Sequence, residues 1–198
     1  MDINEHAVLT HPPAVSIRPL TVADYHKMGE VGIFGKCERV ELIEGQLVAM
    51  SPIGSPHFAA VNEFNRALVK AVEDRAIISV QNPVRLNDRT EPEPDVAVLR
   101  PRDDRYRQAL PGPDDVLLII EVADSSIDYD RGVKRTLYAR HGIPEFWIAD
   151  LDLARVEVYR TPEPDLGRYT SFSNVDRDGS LEVAGLPGVV VPVFAIFG

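Results

Sequence analysis

The chain has 198 residues, an apolar fraction of 44% and a formal net charge of −10. That length suits one domain with a substantial core, and the apolar fraction is not that of a disordered chain. The acidic balance argues against a broad, non-specific duplex-binding surface, because such affinity comes mostly from neutralising phosphates.

No uninterrupted run of about 18 apolar residues is present, so no membrane span is expected. Residues 1–11 carry Asp2 and Glu5 and no basic stretch ahead of an apolar one, and they do not read as a signal peptide. Cys37 is the one cysteine, which excludes an intramolecular disulfide and a Cys-rich zinc site and makes a cytoplasmic chain the expectation.

In chain order, residues 1–18 are expected to form a flexible arm and residues 19–198 a single domain. Thr21 and Asp24 have the spacing of a capping box that opens a short helix running to Met28. Residues 40–50 read as an antiparallel hairpin with Glu44-Gly45 at its turn. Ser55 is expected to cap a helix with Pro56 at its first position, and Val61, Phe64, Leu68 and Val72 then share its core face. A strand is expected over residues 81–86, with Pro83 at an edge or bulge. Residues 94–99 form another strand, followed by a charged loop at 101–113.

Residues 116–123, Val-Leu-Leu-Ile-Ile-Glu-Val-Ala, are so apolar that they should form a central strand buried on both faces. Residues 128–141 read as a helix, with Arg131, Lys134, Arg135 and Tyr138 on one broad side and Gly142 as its C-terminal cap. Strands at 145–150 and 155–160 form a further hairpin, and short strands are expected at 169–172 and 189–193. This order describes a mixed α/β or α+β domain, a central sheet flanked by helices. Neither a dinucleotide glycine fingerprint nor a phosphate-binding P-loop is present, so a nucleotide-cofactor enzyme fits poorly.

Chemistry concentrates in a few charged positions. Asp95 follows Pro94 and opens a strand, where it serves either as a turn residue or as a metal ligand. Glu121 interrupts the most apolar strand, and an unpaired carboxylate is costly there. A structural salt bridge or a metal would satisfy it. Glu41 also projects among apolar neighbours. His57 falls on the core side of its helix, either as a satisfied core histidine or as a metal-shell or proton-handling group. Lys134 has Asp130 at the spacing of a plain helix salt bridge, yet a helix packing back along the Glu121 strand would bring it to the carboxylates. Arginines cluster at 100–107, and again at Arg131, Arg135 and Arg140, as solvated surface or as a basic track.

Taken together, Glu41-Leu-Ile-Glu-Gly45, His57, Pro94-Asp95-Val-Ala-Val98, Ile120-Glu121-Val122, Asp130-Arg-Gly-Val-Lys134, Tyr138-Ala139 and residues 142–150 resemble the Uma2 family of restriction-endonuclease-like proteins. That family belongs to the PD-(D/E)XK nuclease superfamily, and the resemblance covers about residues 20–195. It implies a restriction-endonuclease-like core, dependence on Mg2+ or Mn2+, and hydrolysis of phosphodiester bonds in nucleic acid, DNA first. The superfamily lysine should stand two residues after Glu121, where this chain has Ala123. Uma2-like chains carry it on the following helix, here as Lys134. The resemblance thus implies Glu41 as a helper carboxylate, Asp95 and Glu121 as metal ligands and Lys134 as the displaced lysine.

His57 and Tyr138 are accessory candidates, Arg131 and Arg135 are candidates for substrate binding, and a homodimer is a candidate assembly, since nucleases that cut both strands often pair. Two other readings stand beside the nuclease. One is a nucleic-acid- or protein-binding module that keeps the scaffold without turnover. The other is a glycosidase using Asp95 and Glu121, disfavoured because Trp147 is the one tryptophan.

Overall fold

The structure, a computed structural model, describes residues 16–35 and 38–198. Residues 1–15 of the expected arm, and Cys37, lie outside the described residues.

Helix α1 (Val22–Glu30) opens on the expected capping box: Thr21 Oγ1 accepts from Asp24 N at 3.1 Å, and Asp24 Oδ2 accepts from Thr21 N at 3.0 Å. Strands β1 (Val40–Ile43) and β2 (Gln46–Ala49) form the expected hairpin, with Ile43 opposite Gln46. Glu44 and Gly45 both take positive φ, 49° and 80°, the pair that a two-residue turn of matching twist demands. Helix α2 (Ser55–Val72) starts one position earlier than expected. Gly54 is its N-cap, Pro56 lies in its first turn, and Ser55 provides no side-chain cap.

A six-stranded mixed sheet holds the molecule together, in the order β3 (Ile77–Val80), β4 (Val96–Leu99), β5 (Val116–Ala123), β6 (Glu145–Asp150), β7 (Arg155–Glu163) and β8 (Arg168–Val175). Only β5 and β6 run parallel; the other neighbours are antiparallel. The parallel pair requires a crossover, and residues 124–144 supply it as α3 (Ile127–Tyr129), a π-helical turn (Asp130–Lys134) and α4 (Arg135–Arg140). The crossover ends in a Schellman motif: Gly142 N donates to Ala139 O and Ile143 N to Tyr138 O, with Gly142 at φ 69°. A small ladder of β9 (Ser180–Glu182) and β10 (Val190–Pro192), followed by α5 (Phe194–Phe197), completes the chain.

Both faces of the sheet are covered. Ala60, Val61, Phe64, Leu68 and Val72 of α2 pack on Val96, Val98, Leu118, Ile120 and Val122. Leu137 and Tyr138 of α4 pack on Ile119, Phe146 and Ile148. Every residue of β5 is buried, as its composition demanded, and each large apolar side chain sealed this way contributes about 1.5–3 kcal/mol.

Two further expectations are corrected, and the place of one arginine cluster is fixed. The strand placed at 81–86 lies at Ile77–Val80 instead. Gln81 N still donates to Asp95 O at 3.1 Å, its φ of 51° then ends the pairing, and the N–H groups of Val84 and Leu86 go to Pro92 O and Thr90 O in a local excursion. The helix expected over 128–141 begins at Ile127 and is interrupted by the π turn. The arginine-rich segment at 100–107 follows Leu99, which pairs with Val116 at the start of β5. It therefore sits at the opposite end of the strands from Glu121.

Candidate active site

The antiparallel register sets Val96 opposite Ile120, which brings Asp95, just ahead of β4, beside Glu121 near the end of β5. Their contacts interlock: Asp95 N donates to Glu121 Oε2 at 3.3 Å, and Val122 N donates to Asp95 Oδ2 at 2.9 Å. His57, from the first turn of α2, places Nε2 3.0 Å from Asp95 Oδ2. Gln81 Nε2 donates to Asp95 Oδ1 at 3.3 Å. Gln81, just past the end of β3, thus holds Asp95 twice, by its backbone N–H on Asp95 O and by its side-chain amide on Asp95 Oδ1.

On β5, Leu118, Ile120 and Val122 point toward α2, so strand alternation sends Glu121 to the α4 face. There its Oε1 accepts from Tyr138 OH at 2.7 Å and from Lys134 Nζ at 3.1 Å. Lys134 Nζ also donates to Glu41 Oε2 at 2.8 Å, and Glu93 N donates to the same oxygen at 3.2 Å. The structure therefore brings together Glu41, His57, Asp95, Glu121, Lys134 and Tyr138. Four of these are ionisable and almost sealed from solvent, with Glu41 at 2%, Asp95 at 7%, Glu121 at 5% and Lys134 at 4% exposure. Charges this deep persist only when paired and hydrogen-bonded.

Burial pushes the Glu121 carboxyl up to about 8, against the pull of the Lys134 ammonium and with the push of Asp95. Burial works to lower Lys134, but Glu121 and Glu41 together overcome it and raise its pKa, so the ammonium persists. Asp130, also buried, is pushed up to about 6, against the pull of the Ser126 hydroxyl, which donates to it at 2.6 Å, and of Lys134.

Glu41, His57, Asp95, Glu121 and Lys134 open onto a cavity of about 320 Å3 between residues 48–54, the end of β2 and its turn into α2, and the start of the crossover. Arg39, Asp124, Ser126, Tyr129 and Asp130 line it as well. The reading of the sequence assigned no site role to any of these five, or to Gln81. In the sequence Asp130 stands as a possible helix partner of Lys134 and as the first residue of the Asp130–Lys134 stretch of the resemblance, with no role of its own. Lys134 closes the π turn and donates to Glu41 and Glu121, and hydropathy patterning carries no mark of such a turn.

Arg131 and Arg135 are not brought to this cavity. Arg131 donates to Glu157 Oε1 at 2.6 Å and to Asp150 Oδ2 at 2.8 Å. Arg135 lies over the Tyr159 ring, 5.5 Å from its centroid. Among the described residues, no three or more His, Cys, Asp and Glu side chains already converge as a metal cage. Nor is any helix among them long and apolar enough to cross a membrane.

A helix-flanked mixed sheet with two carboxylates at adjoining strand ends, and a lysine delivered from the crossover, defines a restriction-endonuclease-like class. Within it, the chain belongs to the Uma2 family, described as "Putative restriction endonuclease", which it matches over residues 22–193. A solved structure that matches is that of "a putative nuclease belonging to DUF820" from Anabaena variabilis ATCC 29413. The two superpose with a TM-score of 0.68 over 90% of this chain and 98% of that one, at 17% identity. At that identity the likeness is one of fold. No curated protein matches the chain.

Proposed function

We propose that this protein is a divalent-cation-dependent nuclease that hydrolyses phosphodiester bonds in nucleic acid, with DNA as the expected substrate. The observation that carries the reading is the meeting of Asp95, Glu121 and Lys134 at one cavity, from a strand start, a strand end and the crossover.

The donor set suits Mg2+ or Mn2+. Glu41, Asp95, Glu121, Asp124 and Asp130 face the cavity against the cations Arg39 and Lys134, which leaves room for added positive charge. Asp95 and Glu121 would hold the cation, with the Ile120 or Val122 carbonyl as a further oxygen. Mg2+ is commonly bound by one or two carboxylates and keeps several waters, so a complete protein cage is not needed. When bound, such a cation supplies a water of lowered pKa and positive charge against the scissile phosphate.

The rest is the work of the chain. Hydrolysis adds a water oxygen to phosphorus and breaks one P–O ester bond, leaving a phosphate monoester and a hydroxyl. Lys134 holds a fixed ammonium for the attacking water or the phosphate oxygens, where charge grows in the transition state. Glu41 aims that ammonium. Tyr138 fixes the Glu121 carboxyl, and His57 and Gln81 fix that of Asp95. Cutting both strands of a duplex calls for two such sites, which a homodimer would supply; light scattering tests that assembly.

One observation favours the second reading, a binding module without turnover: Lys134 already spends two hydrogen bonds on Glu41 and Glu121. Incubating plasmid DNA with Mg2+, Mn2+ or EDTA separates the two. Cleavage with the cation and none in EDTA is the expected result. Retained DNA binding with no cleavage in either cation selects the binding module.

A further inference from the structure

Tyr129 ends α3, directly before the π turn that carries Asp130 and Lys134, and it lines the cavity. Its phenol oxygen is buried and has no hydrogen-bond partner. The chain's other tyrosines behave differently. Tyr25, Tyr106, Tyr138, Tyr159 and Tyr169 each donate from the hydroxyl, to Val40 O, Arg100 O, Glu121, Glu157 and Ile143 O respectively. An unpaired buried hydroxyl is costly, and in native proteins it commonly marks a place where water or a ligand belongs.

The surroundings say which kind of ligand. The charges acting on Tyr129 are those of Glu41, Lys134, Glu121 and Asp130. None of these carboxylates accepts from its hydroxyl, although each has another donor close by. Burial pushes the phenol up to about 12, so it keeps its proton wherever the enzyme would work. It is a neutral donor at the edge of a site that, on the reading above, takes up an anion together with a cation.

We propose that the Tyr129 hydroxyl is a substrate-binding group, donating to a non-bridging oxygen of the phosphodiester held at Asp95 and Glu121. The inference rests on the nuclease reading and adds to it a contact that none of the residues named there supplies. A neutral donor suits this place, because it binds the phosphate without adding a positive charge that would compete with the cation.

Tyr129→Phe removes only the hydroxyl, and the ring continues to fill its space. The test uses the full chain with three readouts. These are turnover of bis(p-nitrophenyl) phosphate with Mn2+, anisotropy of a short fluorescein-labelled oligonucleotide with Ca2+ as a non-hydrolysing cation, and Mn2+ affinity by electron paramagnetic resonance. A hydrogen bond to a charged acceptor corresponds to a loss of about 10- to 100-fold, expected both in kcat/KM and in oligonucleotide affinity. Mn2+ affinity and Tm should stay at or above the wild-type values.

Turnover and affinity equal to wild type would mean that the hydroxyl meets only water, and the proposal fails. A parallel loss of Mn2+ affinity, or a fall in Tm with oligonucleotide affinity unchanged, would also overturn it. If the wild type hydrolyses nothing, the nuclease reading falls separately. The oligonucleotide arm then decides alone: weaker binding by Tyr129→Phe sustains the contact, and equal or absent binding ends it.

Discussion

Lys134 lies nearer to Glu41 than to Glu121, 2.8 Å against 3.1 Å, although Glu41 is 93 residues away in the chain. The hairpin carboxylate is thus half of what holds the lysine at the sheet. It ties β1, which is outside the six-stranded sheet, to the crossover between β5 and β6.

Lys134→Ala should therefore remove most cleavage and also unsettle the fold. It leaves Glu41 and Glu121 buried without their shared cation, and breaking a buried ion pair on one side costs about 3–5 kcal/mol. Divalent-cation affinity should hold or rise, since two carboxylates lose their internal competitor. Urea denaturation and a Mn2+ titration check the two halves. Loss of cation binding together with cleavage would mean that the lysine organises the ligands instead of acting on the phosphate.

Glu121 predicts a pH dependence of definite sign. Its folded value, about 8, lies above its ordinary 4.5 because of burial. Proton binding therefore favours the folded state, and this contribution is complete below about 4.5 and lost as pH rises through about 8. Glu121→Gln cannot titrate. Its Tm relative to wild type should rise steadily across that window in cation-free buffer, while divalent-ion binding disappears. A difference in Tm that stays flat with pH would show that the carboxylate is held ionised by Lys134.

Arg131 should behave as a structural residue. Its partners Asp150 and Glu157 are 4% and 3% exposed, so Arg131→Ala leaves two buried carboxylates short of a cation. Because the guanidinium itself is partly solvated, a cost of about 1–3 kcal/mol is expected. The salt dependence of DNA affinity should be unchanged, since no phosphate contact is lost. A shallower slope with normal stability would return Arg131 to the substrate surface.

Gly45→Ala should act at a distance. Gly45 has φ 80°, and an added Cβ would stand 2.4 Å from Pro19 Cβ. Backbone strain of this kind costs about 1–3 kcal/mol, and the close contact adds to it. Since the turn carries β1 and Glu41, the variant should lose stability and activity together. Thermal melts and cleavage assays on the same preparation check this, and unchanged activity in a destabilised variant would separate the turn from the site.

The sequence by itself determined the local and the strongly patterned features. Thr21-Val-Ala-Asp24 closes its own cap, Glu44-Gly45 makes its own turn, and eight apolar-rich residues around Glu121 have nowhere to go but the middle of a sheet. A carboxylate in that strand advertises itself because burial penalises charge wherever the partner lies. Only the tertiary structure decided the partners. Strand pairing sets Asp95 against Glu121, and Lys134 bonds Glu41 and Glu121 rather than Asp130. The same packing turns Arg131 toward Asp150 and Glu157, and it leaves Tyr129 in the cavity lining with a buried hydroxyl that has no partner. Each of these depends on groups brought together from distant parts of the chain, and hydropathy periodicity reports which face is buried without reporting what it will meet.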